Sequence, residues 1–198
     1  MAQTQRQLWL LRHGATEWAL NGRHTGSTDL PLLPEGEEEA RALAPILSRQ
    51  SFAAVLSSPL QRARRTCELG GLGDQVQICT YIIEWDYGDY EGVTTPTIRE
   101  SVPDWTVWTH GCPNGEDAAA VQQRCETAIR IALGATGEGD VALFAHGHLL
   151  RALAGTWLGL GAVGGRLLTL STGSICVLGF ERENRAIVRW NAPANGRF

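Results

Sequence analysis

Short apolar runs alternate with longer amphipathic segments along this chain, and the alternation predicts strands followed by helices. Apolar runs that predict strands lie at residues 8–11, 53–56, 76–83 and 141–144. Segments with helical spacing of apolar positions lie at residues 34–49, 59–69, 117–133 and 148–158. Two last runs, at residues 173–180 and 186–190, predict an antiparallel strand pair. The pattern predicts a three-layer α/β/α fold, in which helices cover both faces of a mostly parallel sheet.

Three stretches interrupt this regular pattern. Pro45 predicts that the helix at 34–49 kinks or ends early. The glycines of residues 70–73 follow no strand and precede no Lys, so they predict a helix end and a turn rather than a phosphate-binding loop. Residues 86–117 are rich in Trp, Tyr, Gly and Pro, and we expect this irregular segment to cover a substrate site. No internal repeat is evident, and we expect one domain over residues 1–198.

Polar side chains stand at or just after the C-terminal ends of the four predicted parallel strands. In chain order they are Arg12, His13, Arg62, Glu84 and His146. Arg62 falls in the first turn of the helix predicted to begin at Pro59, with Ser58 as its N-cap. Open α/β sheets form their ligand crevice at these strand ends, so we expect the five side chains to meet there.

The residue types in this set suit phosphoryl transfer. Arg12, Arg62 and His146 are the expected phosphate-binding donors, since arginine grips a phosphate group at two points. A neutral His13 can attack phosphorus to form a phosphohistidine. Glu84 is the acidic residue of the set, so it is the expected general acid and base. Gly14 allows a tight backbone turn, and Thr16 precedes a helix start that suits a bound anion. We expect neither a metal nor another cofactor, because the arginines neutralise the phosphate.

Composition narrows the function classes further. A chain of 198 residues with 43% hydrophobic and 19% charged residues suits a soluble enzyme domain. Its net charge of −4 argues against a nucleic-acid partner, which needs a basic face. All 17 cationic residues are Arg, and the lack of Lys excludes Walker-type and Schiff-base lysine chemistry.

Cysteine usage and hydropathy predict where the protein resides. The five cysteines are odd in number and widely spaced, which is typical of reduced thiols. The N-terminal residues MAQTQRQ are polar, and no apolar stretch reaches the roughly 18 residues that a membrane span needs. We therefore expect a cytoplasmic protein without membrane association.

Several segments carry a family resemblance when they occur together. They are RHGATEW (12–18), TGSTDLPL (25–32), SSPLQRARRTCE (57–68), EWDYGDYEG (84–92), HGCPNGE (110–116) and AHGH (145–148). The chain resembles the histidine phosphatase superfamily in its phosphoglycerate-mutase-like branch, from about residue 8 to about residue 190. The second and fourth segments favour the small sugar phosphatases, including the sedoheptulose-bisphosphatase-like group.

The resemblance implies a metal-independent phosphatase that hydrolyses a small phosphorylated metabolite, with sugar phosphates as the expected class. It implies a phosphohistidine intermediate on His13. Thr16 is expected to bond a phosphate oxygen, and Thr25 and Tyr90 to contact the sugar. Arg23 or Arg99 would meet a second phosphate, above a mouth of net negative charge. A homodimer is one assembly compatible with the sequence.

Two other functions stay open at this point. The first is a mutase that returns the phosphoryl group to its product, and the second is a non-catalytic module that binds a phosphorylated ligand. Mutases of the family usually carry Asn six residues after the nucleophilic His, whereas this chain has Ala19. The retention of His13 and Glu84 argues against the non-catalytic module.

Alternatives also remain for individual residues. Arg62 could pair with Glu68 or Glu84 at the surface, and His146 could be a hydrogen-bonded core residue. The acid could instead be one of the nearby carboxylates, Asp86, Asp89 or Glu91. Four tryptophans could line the pocket or pack in the core, Trp18, Trp85, Trp105 and Trp108. We place His24 near the mouth of the site and His110 in the segment at 86–117 that covers it, and we expect no direct role for His148. Arg166 and Ser174 could approach the site from the C-terminal part of the chain.

Overall fold

The structure, a computed structural model, describes residues 5–194 and contains alternating strands and helices. Its helices are α1 (Glu17–Asn21), α2 (Pro34–Leu47), α3 (Gln61–Leu69), α4 (Thr95–Ser101), α5 (Val107–His110), α6 (Ala118–Leu133) and α7 (Gly147–Trp157). Its strands are β1 (Leu8–Arg12), β2 (Phe52–Ser57), β3 (Val76–Ile78), β4 (Asp140–Ala145), β5 (Ser174–Glu181) and β6 (Asn184–Pro193). Short 3-10 helices lie at Gly73–Gln75, Thr80–Ile82, Gly88–Tyr90 and Ala162–Leu167.

The strands form one six-stranded sheet in the order β3-β2-β4-β1-β5-β6. The first four strands of this order pair in parallel, whereas β5 runs antiparallel to β1 and β6 antiparallel to β5. The sheet is therefore mostly parallel, with the predicted antiparallel pair at one edge. Arg12 of β1 is in register with Ala145 of β4, so the residues that follow these two strands lie side by side.

Two apolar cores lie on opposite faces of the sheet. Leu8 and Leu10 of β1 pack in a core that contains residues of α6 and α7. Trp9 and Leu11 pack in a second core that contains residues of α2 and α3. Because successive strand residues point to opposite faces, both faces of the sheet are covered by helices, and the predicted three-layer arrangement is confirmed.

Three predicted boundaries differ from the structure. Helix α2 continues through Pro45 and ends at Leu47. Helix α3 begins at Gln61, two residues later than predicted, and Ser58 does not cap it. The strand predicted at 76–83 is shorter in the structure and ends at Ile78. This strand lies at the edge of the sheet, and the chain then forms a 3-10 helix from which Ile82 packs in the core.

The segment at 86–117 is more regular than predicted, since it contains α4, α5 and the 3-10 helix at Gly88–Tyr90. Trp85, Trp105 and Trp108 are buried and pack in the first core, which favours core packing over substrate contact for these three. Among the described residues, no helix combines the length and the apolar character that a membrane span requires.

Candidate active site

His13 and His146 lie next to each other at the C-terminal edge of the sheet. His13 directly follows β1, and its backbone N–H donates to the carbonyl of Ala145 at 3.1 Å. His146 directly follows β4 and precedes α7, and the centres of the two imidazole rings are 5.2 Å apart. The parallel register of β1 and β4 thus brings together two histidines that are 133 positions apart in the chain.

The His13 ring is held in one tautomer. Its Nδ1 lies 2.8 Å from the carbonyl oxygen of Gly14, and a carbonyl only accepts, so Nδ1 carries the proton. Burial lowers the pKa of His13 well below its ordinary value, and the charges of Arg12 and Arg62 lower it further. The ring is therefore neutral, with an unprotonated Nε2 available to a ligand in the pocket that His13 lines.

Gly14 is required by a close approach of two backbone segments. A Cβ atom at this position would lie 2.1 Å from the carbonyl oxygen of Gly36 in the first turn of α2. The Gly14 N–H donates to the hydroxyl of Thr66 at 3.1 Å, and the neighbouring Ala15 N–H donates to Glu39 at 2.9 Å. These contacts fix the loop that follows His13 against α2 and α3.

Arg12 presents a buried hydrogen-bond donor without a partner. Its Nη1 donates to the carbonyl of Leu170, but its Nε is buried and has no partner among the described residues. Burial lowers the pKa of this guanidinium from its ordinary value, while the charge of Glu84 opposes that shift. Arg12 also lines the cavity described below, so its guanidinium can meet an anionic ligand there.

Arg62 is fully buried and organises the loop at residues 25–28. Its Nη groups donate to the carbonyls of Thr25, Gly26 and Thr28 at 2.9–3.1 Å. Its Nε donates to Nδ1 of His146 at 3.1 Å. The proposed surface pairing of Arg62 with Glu68 or Glu84 is not found among the described residues, and Glu84 acts on Arg62 only through its charge.

Both ring nitrogens of His146 are engaged. Since Nδ1 accepts from Arg62, Nε2 carries the proton and donates to the hydroxyl of Ser58 at 2.7 Å. Burial lowers the pKa of His146 well below its ordinary value, and the charges of Arg62 and His13 add to this effect. Arg62 and His146 are both fully buried, and neither belongs to the lining of the pocket, so their expected contact with a phosphate stays a prediction. The Ser58 hydroxyl orients His146 instead of capping α3.

Glu84 lies at the N-terminus of α7 and is 6% exposed. Its Oε1 accepts the backbone N–H groups of Trp85 and Leu149 at 2.9 and 2.8 Å. Its Oε2 accepts the N–H of His148 at 3.1 Å. A helix N-terminus provides such unpaired donors, and they fix the carboxyl group at the wall of the pocket.

A cavity of about 190 Å³ lies above these residues. Its charged and aromatic lining consists of Arg12, Arg23 and Arg151, of His13, His24 and His148, and of Glu84, Trp18 and Tyr87. Three arginines face a single carboxylate there. The prediction that net negative charge surrounds the site is therefore wrong for this cavity. Its lining carries more positive than negative side chains, because the acidic residues of the segment at 86–117 lie outside it.

Three carboxylates near Glu84 in sequence have structural partners. Glu91 accepts the backbone N–H groups of Gly26 and Thr28 at 2.9–3.0 Å. Asp86 accepts the N–H of Gly88 at 2.9 Å, and Asp89 accepts from the side chain of Asn114. None of the three lines the pocket, so the structure brings only Glu84 of these candidates to the site.

Four other residues considered from the sequence lie outside the pocket lining. Tyr90 packs against Trp105, with ring centres 5.3 Å apart, and lines a separate depression. Arg99 donates to the carbonyl of Trp105 at 2.9 Å, and Ser174 donates to that of Ser171 at 2.6 Å. Arg166 lies in the 3-10 helix at Ala162–Leu167. The structure therefore does not bring Tyr90 to the cavity, because its ring packs on Trp105 instead.

Other expected residues are found in the lining. Thr16 caps α1 by accepting the N–H of Ala19 at 3.3 Å, and it faces the pocket with Thr25. Arg23 lies over the ring of Trp18, 5.9 Å from its centre. These positions agree with the expected pocket wall.

Sequence reasoning missed Tyr87, His148 and Arg151. The Tyr87 hydroxyl lies 2.6 Å from Nδ1 of His148, and Arg151 lies over the ring of Trp108 at 4.8 Å. The available signal was the spacing of His148 and Arg151, which are three residues apart in the otherwise apolar helix α7 and so share a face. Within residues 5–194, no three His, Cys, Asp or Glu side chains are grouped as metal ligands.

Known proteins resemble this chain in sequence and in structure. A profile of the histidine phosphatase superfamily (branch 1) matches residues 8–193. An acid phosphatase of Mycobacterium tuberculosis is 41% identical over 189 residues, covering 94% of this chain and 93% of the relative. A sedoheptulose 1,7-bisphosphatase of Saccharomyces cerevisiae is 35% identical over 182 residues, covering 77% of this chain and 67% of the relative. The solved structure of a protein encoded by an open reading frame of Mycobacterium tuberculosis superposes on this chain with a TM-score of 0.91. The two sequences are 40% identical, and the match covers 96% of this chain and 99% of the solved one.

Proposed function

We propose that this chain, which belongs to the histidine phosphatase superfamily, is a phosphoric monoester hydrolase that acts on small phosphomonoesters through a phosphohistidine at His13. The observation that carries the proposal is the His13 ring. Its Nδ1 proton is bonded to the Gly14 carbonyl, its Nε2 is unprotonated, and Arg12 lines the same pocket. This arrangement supports His13 as the nucleophile and Arg12 as the cation that binds the phosphate.

In the first step, Nε2 of His13 attacks phosphorus and the bond between phosphorus and the alcohol oxygen breaks. The leaving oxygen takes a proton from the carboxylic acid form of Glu84. Of the two carboxyl oxygens, Oε2 accepts one hydrogen bond and Oε1 accepts two, so Oε2 has more capacity to carry that proton. The products of this step are the free alcohol, the phosphohistidine and the Glu84 carboxylate.

In the second step, water attacks phosphorus and gives one proton to Glu84 while the bond between phosphorus and Nε2 breaks. Inorganic phosphate leaves, His13 returns to its neutral form, and Glu84 is again protonated. Arg12 would bind the oxygens that gain charge in both steps. The buried Arg62 would add positive charge while holding His146 and the loop at 25–28.

The pocket favours a small anionic substrate. A cavity of about 190 Å³ suits a molecule of sugar-phosphate size, and its arginines suit a ligand that carries one or two phosphate groups. Arg23, one of the two cations expected to meet a second phosphate, lines the cavity, whereas Arg99 does not. The name of one relative, a sedoheptulose 1,7-bisphosphatase, supports a sugar phosphate as the substrate class, and that of the other, an acid phosphatase, supports phosphatase activity.

Trapping of the intermediate tests the proposal directly. We expect the wild-type protein, mixed with a substrate labelled at phosphorus and quenched in base, to retain the label on His13, and acid to release it. His13→Ala should lose both the label and turnover. The control is His110→Ala, which removes an exposed histidine from α5 outside the pocket. Near-normal turnover by His13→Ala would rule out this mechanism.

Water as the acceptor distinguishes a phosphatase from a mutase. Ala19 lines the pocket at the position where mutases of the family usually have Asn. We therefore expect inorganic phosphate rather than an isomerised phosphate ester as the main product. Equal release of both products would favour the mutase.

A further inference from the structure

A second group of aromatic rings lies at the pocket, apart from the His13–His146 pair, and Tyr87, His24 and His148 of this group line it. The Tyr87 hydroxyl lies 2.6 Å from Nδ1 of His148. The His148 ring lies 5.3 Å from the ring of Trp108 and 5.9 Å from that of His24. These contacts hold His148 in place at the pocket wall, although the mechanism above does not use its side chain.

The hydroxyl of Tyr87 lies within hydrogen-bond distance of His148 and can set the tautomer of that ring. Burial raises the pKa of Tyr87 well above its ordinary value, so the phenol keeps its proton. Burial also lowers the pKa of His148 well below its ordinary value, so the ring is neutral. Among the described residues, Nδ1 of His148 is the only hydrogen-bond partner of this protonated phenol, so the phenol can donate to Nδ1. Donation in this direction puts the imidazole proton on Nε2.

In this tautomer, the Nε2 N–H of His148 is available to a ligand. Nε2 has no hydrogen-bond partner among residues 5–194, and the side chain lines the cavity. The backbone N–H of the same residue donates to Oε2 of Glu84 at 3.1 Å. The free donor therefore lies near the carboxyl group that would protonate the leaving oxygen.

We propose that His148 is a specificity-determining residue whose Nε2 N–H donates to a hydroxyl or carbonyl oxygen on the leaving group of the substrate, and that Tyr87 is the positioning residue that keeps the proton on Nε2. This inference rests on the proposed phosphatase function. It predicts a preference for esters whose leaving group carries such an oxygen beside the scissile bond. An aryl phosphate has no oxygen there and gains nothing from His148.

The test compares two kinds of substrate in matched variants. We measure kcat/KM for three hydroxylated esters, ribose 5-phosphate, fructose 6-phosphate and glycerol 3-phosphate, and for p-nitrophenyl phosphate. In His148→Ala, the ratio of the best hydroxylated ester to the aryl ester should fall about three- to tenfold, the size expected for one neutral hydrogen bond. His148→Gln, whose amide can donate from a similar position, should recover part of the ratio, and the exposed control His110→Ala should keep it.

A spectroscopic measurement tests the tautomer separately. Long-range proton–nitrogen NMR spectra report which nitrogen of His148 carries the proton, and the His148→Gln variant identifies the signals. We expect protonated Nε2 in the wild type and a mixture of the two tautomers in Tyr87→Phe. Tyr87→Phe should also lower the substrate ratio, but by less than His148→Ala.

The failures of the two proposals are distinguishable. If the wild type releases phosphate from the hydroxylated esters but His148→Ala keeps their ratio to the aryl ester, the role of His148 is refuted. A proton found on Nδ1 in the wild type refutes the role of Tyr87. If the wild type hydrolyses none of the four esters, the proposed function itself fails.

Discussion

Replacement of Glu84 by Gln separates the structural role of this side chain from its chemical one. Glu84 accepts two backbone N–H groups at Oε1 and one at Oε2. A glutamine that keeps its carbonyl at the Oε1 position directs its own N–H₂ group at the His148 N–H, so that two donors face each other. An unsatisfied buried donor costs about 1–3 kcal/mol. For a chain of this size, that cost lowers Tm by about 2 to 12 °C.

The chemical loss should depend on the leaving group. A general acid contributes about 10²- to 10⁴-fold to the rate. We expect Glu84→Gln to lose kcat on that scale with a sugar phosphate, whose alkoxide must be protonated. The loss should be much smaller with p-nitrophenyl phosphate, whose leaving group hardly needs a proton. Steady-state kinetics of both substrates at one pH, below the Tm of the variant, measures the difference.

Glu91→Gln is the matched control for this experiment. Glu91 also accepts backbone N–H groups, those of Gly26 and Thr28, but it lies outside the pocket lining. It should lose stability by the same mechanism and show no dependence on the leaving group. Equal losses on the two substrates in Glu84→Gln, or a leaving-group effect in Glu91→Gln, would refute the assignment of the acid.

Three further expectations follow from the same contacts. Gly14→Ala should lower the free energy of unfolding in urea by about 1–3 kcal/mol or more, because its Cβ would lie 2.1 Å from the backbone oxygen of Gly36; no loss would contradict the close approach. Four histidines have pKa values lowered by burial, His13, His24, His146 and His148. The stability that these neutral rings contribute is fully present above the pKa of about 6.5 that histidine has in the unfolded chain, and it is lost as the pH falls below that pKa. Tm should therefore fall between pH 7 and pH 5, and a constant Tm over this range would contradict the lowered pKa values. Chelators should leave turnover intact and vanadate should inhibit it, whereas activity that is lost to a chelator and restored by Mg²⁺ or Zn²⁺ would contradict arginine-based neutralisation.

The apolar pattern predicted most of the fold because each long run is buried on a face of the sheet. It failed at residues 79–83, where the run continues but the strand stops. An apolar run predicts that residues are buried, but it does not show whether they are buried in a strand. Strand β3 lies at the edge of the sheet, and Ile82 is buried in the 3-10 helix that follows it. Ser58 illustrates the same limit, because a serine before Pro59 matches a helix cap, whereas its hydroxyl is engaged by His146, 88 positions away in the chain.

The motifs located the strand-end residues, but they could not show which side chains face the cavity. Tyr87 and Tyr90 lie three positions apart, and Gly88 and Glu91 follow them. Neither neighbour indicates which way the tyrosine ring points. The 3-10 helix at Gly88–Tyr90 turns the chain between them, so Tyr87 meets His148 while Tyr90 packs on Trp105. That difference depends on contacts with two distant parts of the chain, His148 of α7 and Trp105. The chemistry of the phosphate end is therefore readable from local sequence, whereas contacts to the rest of the substrate depend on elements far apart in the chain.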